Sequence, residues 1–207
     1  MLAGEHVDLR AIEREDLPQL LTWRNEPRLR QFFRERRELS MSDQTAWFEH
    51  VRADTSTLMF AIDDRATGEL VGACGLCYVD WVDRRAEVSV YIGAGGAYID
   101  DTRAPDACRA LISHAFHELD LKRLWVEVYA FDALKSRLFE ELGFVVEGRL
   151  REHRFHESAS HDSLLFGLLR AERRQESTRQ SPPPIAARAG ATRHRSSAAA
   201  RRPRSSR

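Results

Sequence analysis

The order of the apolar segments along the chain constrains the fold more than any other feature of the sequence. Three largely apolar segments, 58–62, 69–78 and 86–92, are separated by turn-forming residues, and this pattern predicts an antiparallel meander. From Gly93 onward the pattern changes to a glycine-containing loop, an amphipathic helix, a strand and another helix. The chain is therefore predicted to combine helices and strands in an α/β (α+β) fold.

The remaining elements follow from the same rules. Residues 7–12 alternate between apolar and polar side chains like a half-buried strand, and residues 17–23 have roughly helical spacing. Either Ser40 or Ser42 could cap a second helix. The later elements are predicted as helices at 107–116 and 133–142 and strands at 124–129, 145–155 and 164–169, with a turn at 156–160.

Charge is divided unequally along the 207 residues, although the net charge is zero. Residues 173–207 contain ten arginines and one acid, so this tail is near +9 and residues 1–172 are near −9. The tail is rich in Ser, Ala and Pro and has too few apolar residues to offset the entropy of ordering. We expect a folded domain at 1–172 and a disordered tail at 173–207. An acidic domain argues against a general nucleic-acid binder, so nucleic acid remains a possible partner only through the tail. The interpretation of the tail as a solvated extension without a role is favoured, because small residues dilute its arginines and no aromatic residue lies among them.

Location and metal content are predicted from what the sequence lacks. No stretch of 18 apolar residues occurs, and the N-terminus lacks the basic start and apolar run of a secretory signal. We therefore expect a cytoplasmic protein with no membrane partner. Three cysteines exclude a disulfide scaffold. Cys74 and Cys77 have the spacing of a zinc pair, but on a strand they point to opposite faces, and Cys108 alone does not complete a site, so no metal is expected.

Short motifs in the second half of the chain occur in a recognisable order. Residues 127–132 (EVYAFD), 137–144 (RLFEELGF) and 146–152 (VEGRLRE) resemble the late strand, helix and last hairpin of the GNAT acetyltransferase superfamily. The resemblance implies a strongly bent mixed sheet of about seven strands flanked by about four helices.

The first half of the chain agrees with this resemblance. Residues 9–12 (LRAI), 23–25 (WRN), 44–48 (QTAWF) and 68–72 (GELVG) are similar to the subgroup that contains ribosomal-protein-alanine and nucleotide-amino-sugar N-acetyltransferases. The resemblance covers about residues 5–172. It implies an enzyme that moves an acetyl group from acetyl-CoA to a primary amine, by direct attack in a ternary complex. The amine would belong to a protein N-terminus, an amino sugar or another small molecule.

The resemblance also implies where the acetyl donor binds. The strands at 86–92 and 124–129 would splay apart to admit the pantetheine arm. Backbone amides of Val90, Tyr91 and Ile92 would bind this arm and polarise the thioester carbonyl, which stabilises the transition state more than the ground state. Asp132, expected to cap the following helix, is also assigned to the cofactor site.

An amine acceptor arrives as an ammonium ion and must lose a proton before it attacks. Glu87 matches a position where the subgroup often has a carboxylate, and we expect it to act as the base, directly or through water. Glu87 could instead be a solvent-facing strand residue paired with Arg84 or Arg85. His114 and His117 on the predicted helix are weaker candidates for the same role.

The leaving thiolate needs a proton, which many members of the family take from a tyrosine. The matching position here is Phe139, which has no proton to give, and Tyr129 belongs to the preceding strand. Either another group supplies the acid or the thiolate leaves unassisted, which its pKa of roughly 8.5 permits.

The family's pyrophosphate-binding motif falls on residues 99–104, where this sequence departs from it. Thr102 replaces a glycine, and Asp100 and Asp101 place carboxylates beside an expected dianion. Arg103 and Ala104 remain as candidates for cofactor binding. The departure leaves two alternatives open: a catalytically impaired GNAT-fold protein that binds a ligand or partner, or a scaffold whose basic tail is the functional part.

The acceptor side of the subgroup is lined by the first two helices and the last hairpin. The corresponding candidates here are Trp23, Arg24, Asn25, Phe32 and Phe33. Trp23 could equally be an ordinary core residue. The acidic domain would favour a cationic amine, and we expect a monomer or a homodimer.

Overall fold

The computed structural model describes residues 1–173, so all of the predicted tail except Arg173 lies outside the described residues. The described residues form one eight-stranded sheet, five α-helices that lie entirely within them and two short 3₁₀ turns, and residues 170–173 are also helical. The strands are β1 (Leu2–Ala3), β2 (Val7–Ala11), β3 (Leu58–Asp64), β4 (Leu70–Asp80), β5 (Arg85–Ile92), β6 (Arg123–Tyr129), β7 (Val145–His156) and β8 (Ala159–Leu169). The helices are α1 (Leu17–Asn25), α2 (Pro27–Arg30), α3 (Met41–Ala53), α4 (Arg103–His117) and α5 (Ala133–Glu141), and the 3₁₀ turns are Arg14–Asp16 and Ala94–Gly96.

The strands lie in the order β1-β2-β3-β4-β5-β6-β8-β7. Every neighbouring pair is antiparallel except β5 and β6, which are parallel. The predicted mixed fold is confirmed. Two elements were not predicted, β1 and α2, because segments of two and four residues are too short to show a period. The last strand begins at Ala159 rather than Leu164, since the turn needs only Glu157 and Ser158, both with positive φ.

The parallel pairing of β5 with β6 is short. It comprises Arg85 with Arg123, Ala86 with Leu124, and Glu87 with Trp125. Beyond this point β5 continues to pair with β4 as far as Ile92, and β6 continues to pair with β8 as far as Tyr129. The two strands therefore separate in the middle of the sheet, as the resemblance implies.

Both faces of the sheet are covered by helices, which accounts for the nearly continuous burial of β4. On one face α4 packs its apolar side, which includes Leu111, Ile112 and Phe116, against strand residues such as Cys74. On the other face α1 and α3 cover the adjacent strand residue, Ala73. Successive residues of a strand point to opposite faces, so neighbouring apolar residues join two different cores.

Helix α3 shows how the local sequence sets an element boundary. The Ser40 hydroxyl accepts a hydrogen bond from the amide of Asp43, and the Asp43 carboxylate accepts one from the amide of Ser40. This reciprocal cap selects Ser40 over Ser42 as the start of the helix. Within residues 1–173, no helix is long and apolar enough to cross a membrane.

A buried carboxylate fixes the start of the chain to the first turn of α4. Asp106 is 3% exposed and accepts hydrogen bonds from the amides of Glu5, His6 and Val7, at 3.1, 2.8 and 3.1 Å. These amides flank the start of β2, so Asp106 connects the outer strands of the sheet to the helix that covers them. Charge-assisted hydrogen bonds of this kind are stronger than neutral ones.

Replacing Asp106 by Ala should lower the free energy of unfolding by about 2–3 kcal/mol, because three amides lose their acceptor. The matched variant Asp106→Asn keeps one carbonyl oxygen and should lose about 1 kcal/mol. Urea denaturation followed by circular dichroism measures both values. Equal stabilities of D106A and the unmodified protein would contradict this role for the carboxylate.

Candidate active site

A cavity of about 250 Å³ lies where β5 and β6 separate. Residues from seven places in the chain line it: β3, β4, β5, β6, α1, the start of α5 and the segment between α2 and α3. Those that carry chemistry are Arg24, Phe32, Phe33, Arg34, Cys77, Glu87, Val90, Tyr91, Glu127, Tyr129, Asp132 and Lys135.

Two carboxylates share one guanidinium at the edge of this cavity. Arg34 donates to both oxygens of Glu87, to Oε2 at 2.6 Å, and to Glu127 Oε2 at 3.1 Å. Glu87 is therefore buried in the cavity and is not a solvent-facing residue, while Arg84 bonds to Asp120. Burial acts to lower the pKa of Arg34, but the hydrogen bonds and charge of Glu87 outweigh it and raise that pKa.

Arg34 differs from its partners in exposure. Its side chain is 45% exposed, whereas those of Glu87 and Glu127 are 6% and 11% exposed. Arg34 lies in the segment between α2 and α3, outside any helix or strand. It therefore covers the two carboxylates from the solvent side of the cavity, on backbone that is free of sheet hydrogen bonds.

Side chains outside the cavity fix the segment that carries Arg34. Asn25 bonds to the carbonyl and the amide of Leu39, both at 2.8 Å. Arg154 of β7 donates to the carbonyl of Phe33 at 2.7 Å. Asn25, predicted as an acceptor-binding residue, thus contacts backbone instead of the cavity.

The strand residues predicted to bind the donor differ in where their amides point. The amide of Ile92 donates to the carbonyl of Tyr98, and the amide of Gly93 donates to Val71 of β4. Because an antiparallel ladder alternates, the amide of Tyr91 faces β4 and the amide of Val90 faces the gap. Val90 is therefore the residue of the three whose amide is directed toward the cavity.

Lys135 and Asp132 form the floor of the cavity at the start of α5. Asp132 caps the helix through the amide of Lys135 at 3.0 Å, and burial raises the pKa of this carboxyl. The Lys135 ammonium lies 5.8 Å from the centre of the Tyr98 ring. Burial lowers the pKa of Lys135, and attraction to Asp132 and Glu87 offsets this effect only in part.

The aromatic residues after α2 form one wall of the cavity. Phe32 stacks on Tyr98 at 4.2 Å, and Phe33 meets Tyr91 edge-on at 5.1 Å. Arg24 also lines the cavity and lies 5.2 Å from the centre of the Phe33 ring.

Trp23 has a core position and lies outside the cavity. It is 9% exposed and packs on the backbone of Gly93, where an added Cβ would lie 2.0 Å from the indole. A glycine is therefore required opposite the indole. Trp23 is thus an ordinary core residue, which was the alternative to its predicted role in acceptor binding.

The first turn of α4 lies apart from the cavity and is already bonded. One oxygen of Asp100, Oδ1, accepts from the amides of Thr102, Arg103 and Ala104, at 3.3, 2.7 and 2.9 Å. The other oxygen, Oδ2, accepts from Arg103 Nε at 2.6 Å. Burial acts to raise the pKa of Asp100, but the hydrogen bonds from Ala104 and Arg103 outweigh it and lower that pKa.

The remaining candidates lie elsewhere. His114 pairs with Glu118 and His117 bonds to Ser113, both on α4 outside the cavity. Phe139 is fully buried in the main core. Within residues 1–173, His, Cys, Asp and Glu side chains form no group of three or more that could hold a metal ion.

Three residues at the site were not among the candidates: Arg34, Glu127 and Lys135. Glu127 could have been found from the strand register. It lies on β6 two residues beyond Trp125, the parallel partner of Glu87, and therefore points to the same side of the sheet as Trp125. The position of Lys135 four residues before Phe139 places both on one face of α5. Arg34 has no such signal, since it lies in an irregular segment.

The parallel central strands of the sheet thus separate around a carboxylate-lined cavity, which is the arrangement that the resemblance implies for an acetyltransferase. Residues 6–145 match the family model described as an acetyltransferase (GNAT) domain. The chain therefore belongs to the GNAT acetyltransferase family.

Individual relatives agree with this family. A Bacillus subtilis protein named as a ribosomal N-acetyltransferase, YdaF, is 27% identical over 180 residues, which cover 82% of this chain and 94% of that protein. The spermidine N(1)-acetyltransferase of Escherichia coli K12 is 28% identical over 156 residues, which cover 75% of this chain and 81% of that protein. A crystal structure of spermidine N-acetyltransferase from Vibrio cholerae, in complex with CoA and spermine, has a TM-score of 0.74 at 23% identity, covering 81% of this chain and 98% of that one.

The two ends of acetyl-CoA fit the described residues unequally. The cavity between β5 and β6, with the Val90 amide directed into it, suits a thioester and the pantetheine next to it. The first turn of α4 does not suit the diphosphate, because its amides already donate their hydrogen bonds to the carboxylate of Asp100.

The thiol of Cys77 provides a probe of the cavity. It is a free cysteine that lines the cavity, whereas Cys74 and Cys108 are buried, and burial raises its pKa from 9.0 to about 11. About 100-fold less thiolate is then present near pH 7 than for a cysteine with the ordinary pKa. Iodoacetamide should label Cys77 at a correspondingly low rate, which rises about tenfold for each pH unit between about pH 7 and pH 9.

Mass spectrometry after timed labelling measures this rate. The variant Cys77→Ser should remain unlabelled on the same timescale, because the other two thiols are buried. Labelling of Cys77 as fast as a free cysteine peptide would contradict the predicted environment of the cavity.

Proposed function

We propose that this chain is an acetyl-CoA-dependent N-acetyltransferase that moves an acetyl group to a primary amine by direct attack in a ternary complex. The observation that carries this proposal is the cavity between β5 and β6, with two carboxylates on one side and the Val90 amide on another. A base and a hydrogen-bond donor in one cavity are what attack of an amine on a thioester requires. A cytoplasmic location and a monomer or homodimer stay predictions.

The acceptor is a cationic amine. Its ammonium group would take the place of the Arg34 guanidinium beside Glu87 and Glu127. The exposure of Arg34 supports this exchange, because a half-exposed side chain can rotate toward solvent while the ammonium ion of the acceptor replaces its charge beside the buried carboxylates. Arg24, Phe32 and Phe33 would shape the outer part of the acceptor site.

Glu87 acts as the base that removes the proton from the ammonium group, directly or through water. With Arg34 displaced, its oxygens become free to accept the proton. Glu127 then stabilises the positive charge of the arriving amine. The freed lone pair attacks the thioester carbonyl, and the Val90 amide donates a hydrogen bond to the carbonyl oxygen as negative charge develops there.

Lys135 supplies the proton that the leaving thiolate needs, and the second proton of the attacking nitrogen, lost as the amide forms, restores the Lys135 ammonium group. It lines the cavity one helical turn before Phe139, so the same face of α5 carries an acid in spite of the missing tyrosine. A lowered pKa suits this role, because proton transfer is most effective when the donor and the thiol have similar pKa values.

The relatives support amines of more than one kind. One relative is named for ribosomal N-acetylation and another for spermidine. The surplus of acidic side chains at the cavity, Glu35, Glu87, Glu127 and Asp132 against three cations, favours small polyamines, which carry several positive charges, over amino sugars, which carry one.

The proposal is tested by mixing the full chain with acetyl-CoA and each of three acceptor classes: spermidine, peptides with N-terminal Ala or Ser, and glucosamine. Release of free thiol and the mass of the product report transfer, and spermidine should give the highest kcat/KM. Glu87→Gln should lower kcat by about 100-fold or more, because the amide cannot accept the proton.

Glu127→Gln is the matched control. It removes the same charge from the same cavity and should raise KM for the amine by about tenfold or less, with a small effect on kcat. A larger loss of kcat in E127Q than in E87Q would assign the base to Glu127. No transfer to any acceptor would refute the proposed function.

Lys135→Met should lower kcat by about 10- to 100-fold, because the thiolate then leaves unassisted. In the unmodified chain, activity should fall as pH rises through the pKa of Lys135, which lies below the ordinary lysine value of 10.5, since only the ammonium form donates a proton. This basic limb of the kcat profile should be absent in K135M. The matched variant Lys135→Arg keeps the positive charge, but its kcat should not fall in the pH range where kcat of the unmodified chain falls. A pH profile of kcat that is unchanged in either variant would exclude Lys135 as the acid.

A further inference from the structure

The first turn of α4 has no free amide to offer an anion. A helix N-terminus attracts phosphate because its first amides have no partner within the helix and carry partial positive charge. In this chain the amides of Thr102, Arg103 and Ala104 all donate to Asp100. The next residue is Pro105, which has no amide hydrogen. One carboxylate of the chain therefore occupies the whole anion site.

The nearby cation is occupied as well. Arg103 Nε donates to the second oxygen of Asp100 at 2.6 Å, so its charge is largely neutralised. A diphosphate that approached α4 would meet the carboxylates of Asp100 and Asp101 before it reached a free donor. Like charges at such distances repel, and the repulsion is strongest where burial limits screening.

The cleft between α4 and α5 is also too small for a nucleotide. The space bounded by Ile99, Asp101, Leu134 and Glu141 is a cavity of about 20 Å³, roughly the size of one water molecule. Arg137, the cation on this side of α5, bonds to Glu141 at 2.7 Å. The cavity at the separated strands is more than ten times larger than this space. A wider, open pocket of about 520 Å³ lies beside the start of α4, but the carboxylates of Glu5, Asp64 and Asp100 line it together with Arg65 and Arg103.

From this contrast we propose that the chain recognises its acetyl donor through the pantetheine thioester alone, and that Asp100 excludes the diphosphate from α4. Thioesters of pantetheine that lack a nucleotide are then donors comparable with acetyl-CoA. This inference rests on the proposed function and narrows its donor class. Asp100 is the residue that sets this specificity, through the three amides it occupies.

The test compares acetyl-CoA with S-acetylpantetheine, which has the same thioester and no phosphate. Two quantities are measured for each variant: kcat/KM with a fixed amine acceptor, and affinity for CoA and for pantetheine by calorimetry. The variants are Asp100→Gly, which frees the amides, Asp100→Asn, which keeps a capping oxygen without the charge, and Asp101→Gly, which removes the same charge from a neighbouring exposed position.

In the unmodified chain the two donors should differ by less than about fivefold in kcat/KM, and CoA and pantetheine by a similar factor in affinity. D100G should favour the CoA form by a further 10- to 100-fold, because charge-assisted hydrogen bonds to a phosphate become available. The preference of D100N for the CoA form should lie between those of the unmodified chain and D100G. D101G should change this preference by less than about threefold. Circular dichroism checks that each variant is folded, since loss of a cap destabilises the start of a helix.

The inference is overturned if the unmodified chain prefers the CoA form by 100-fold or more, or if D100G and D101G change the preference equally. Calorimetry separates this failure from failure of the proposed function. If neither donor supports transfer but pantetheine and CoA bind with similar affinity, the proposed activity fails while the role of Asp100 stands. If neither ligand binds to any variant, both are refuted.

Discussion

The rest of the site depends on the point at which β5 and β6 stop pairing. Up to Glu87 and Trp125 the sheet is continuous, and beyond them each strand keeps only its outer partner. Burying unpaired peptide groups is costly, so a gap in the middle of a sheet needs a reason. Here the gap becomes a cavity, and the last residue before it on β5 is the buried carboxylate that we propose as the base. The separation of the two strands therefore both opens the cavity and places the proposed base at its edge.

At two places a side chain of this protein satisfies a charge that a substrate would otherwise meet. Arg34 neutralises the pair Glu87 and Glu127, and Asp100 neutralises the amides of α4. The two differ in how easily they can leave. Arg34 makes three hydrogen bonds, but it is half-exposed and an ammonium ion can replace its charge. Asp100 is less exposed, and both of its oxygens bond to residues of its own turn. We therefore interpret Arg34 as exchangeable with an arriving amine, and Asp100 as a permanent part of the fold.

Much of the fold could be predicted from the sequence because long periodic segments determine it. The meander and the amphipathic α4 follow from the pattern of apolar residues, whereas the separation of β5 and β6 was implied by the family resemblance. The site was less predictable, since it joins residues distant in sequence. Glu87, Val90, Tyr91, Asp132, Arg24 and Phe32 do line one cavity, whereas Trp23, Asn25, Ile92, Arg103 and Ala104 have contacts elsewhere.

What the sequence could not supply is the direction of individual bonds. From the sequence alone, Asp100 is a negative charge near an expected dianion, and screening by salt reduces the repulsion between the two. In three dimensions its carboxylate accepts the same amides that the dianion would use, so it competes for the site as well as repelling the ligand. The same holds for Arg34, which no period or motif connects to Glu87, 53 residues away. A charge that merely lies near a site can be screened, but one that already makes the site's hydrogen bonds must be displaced.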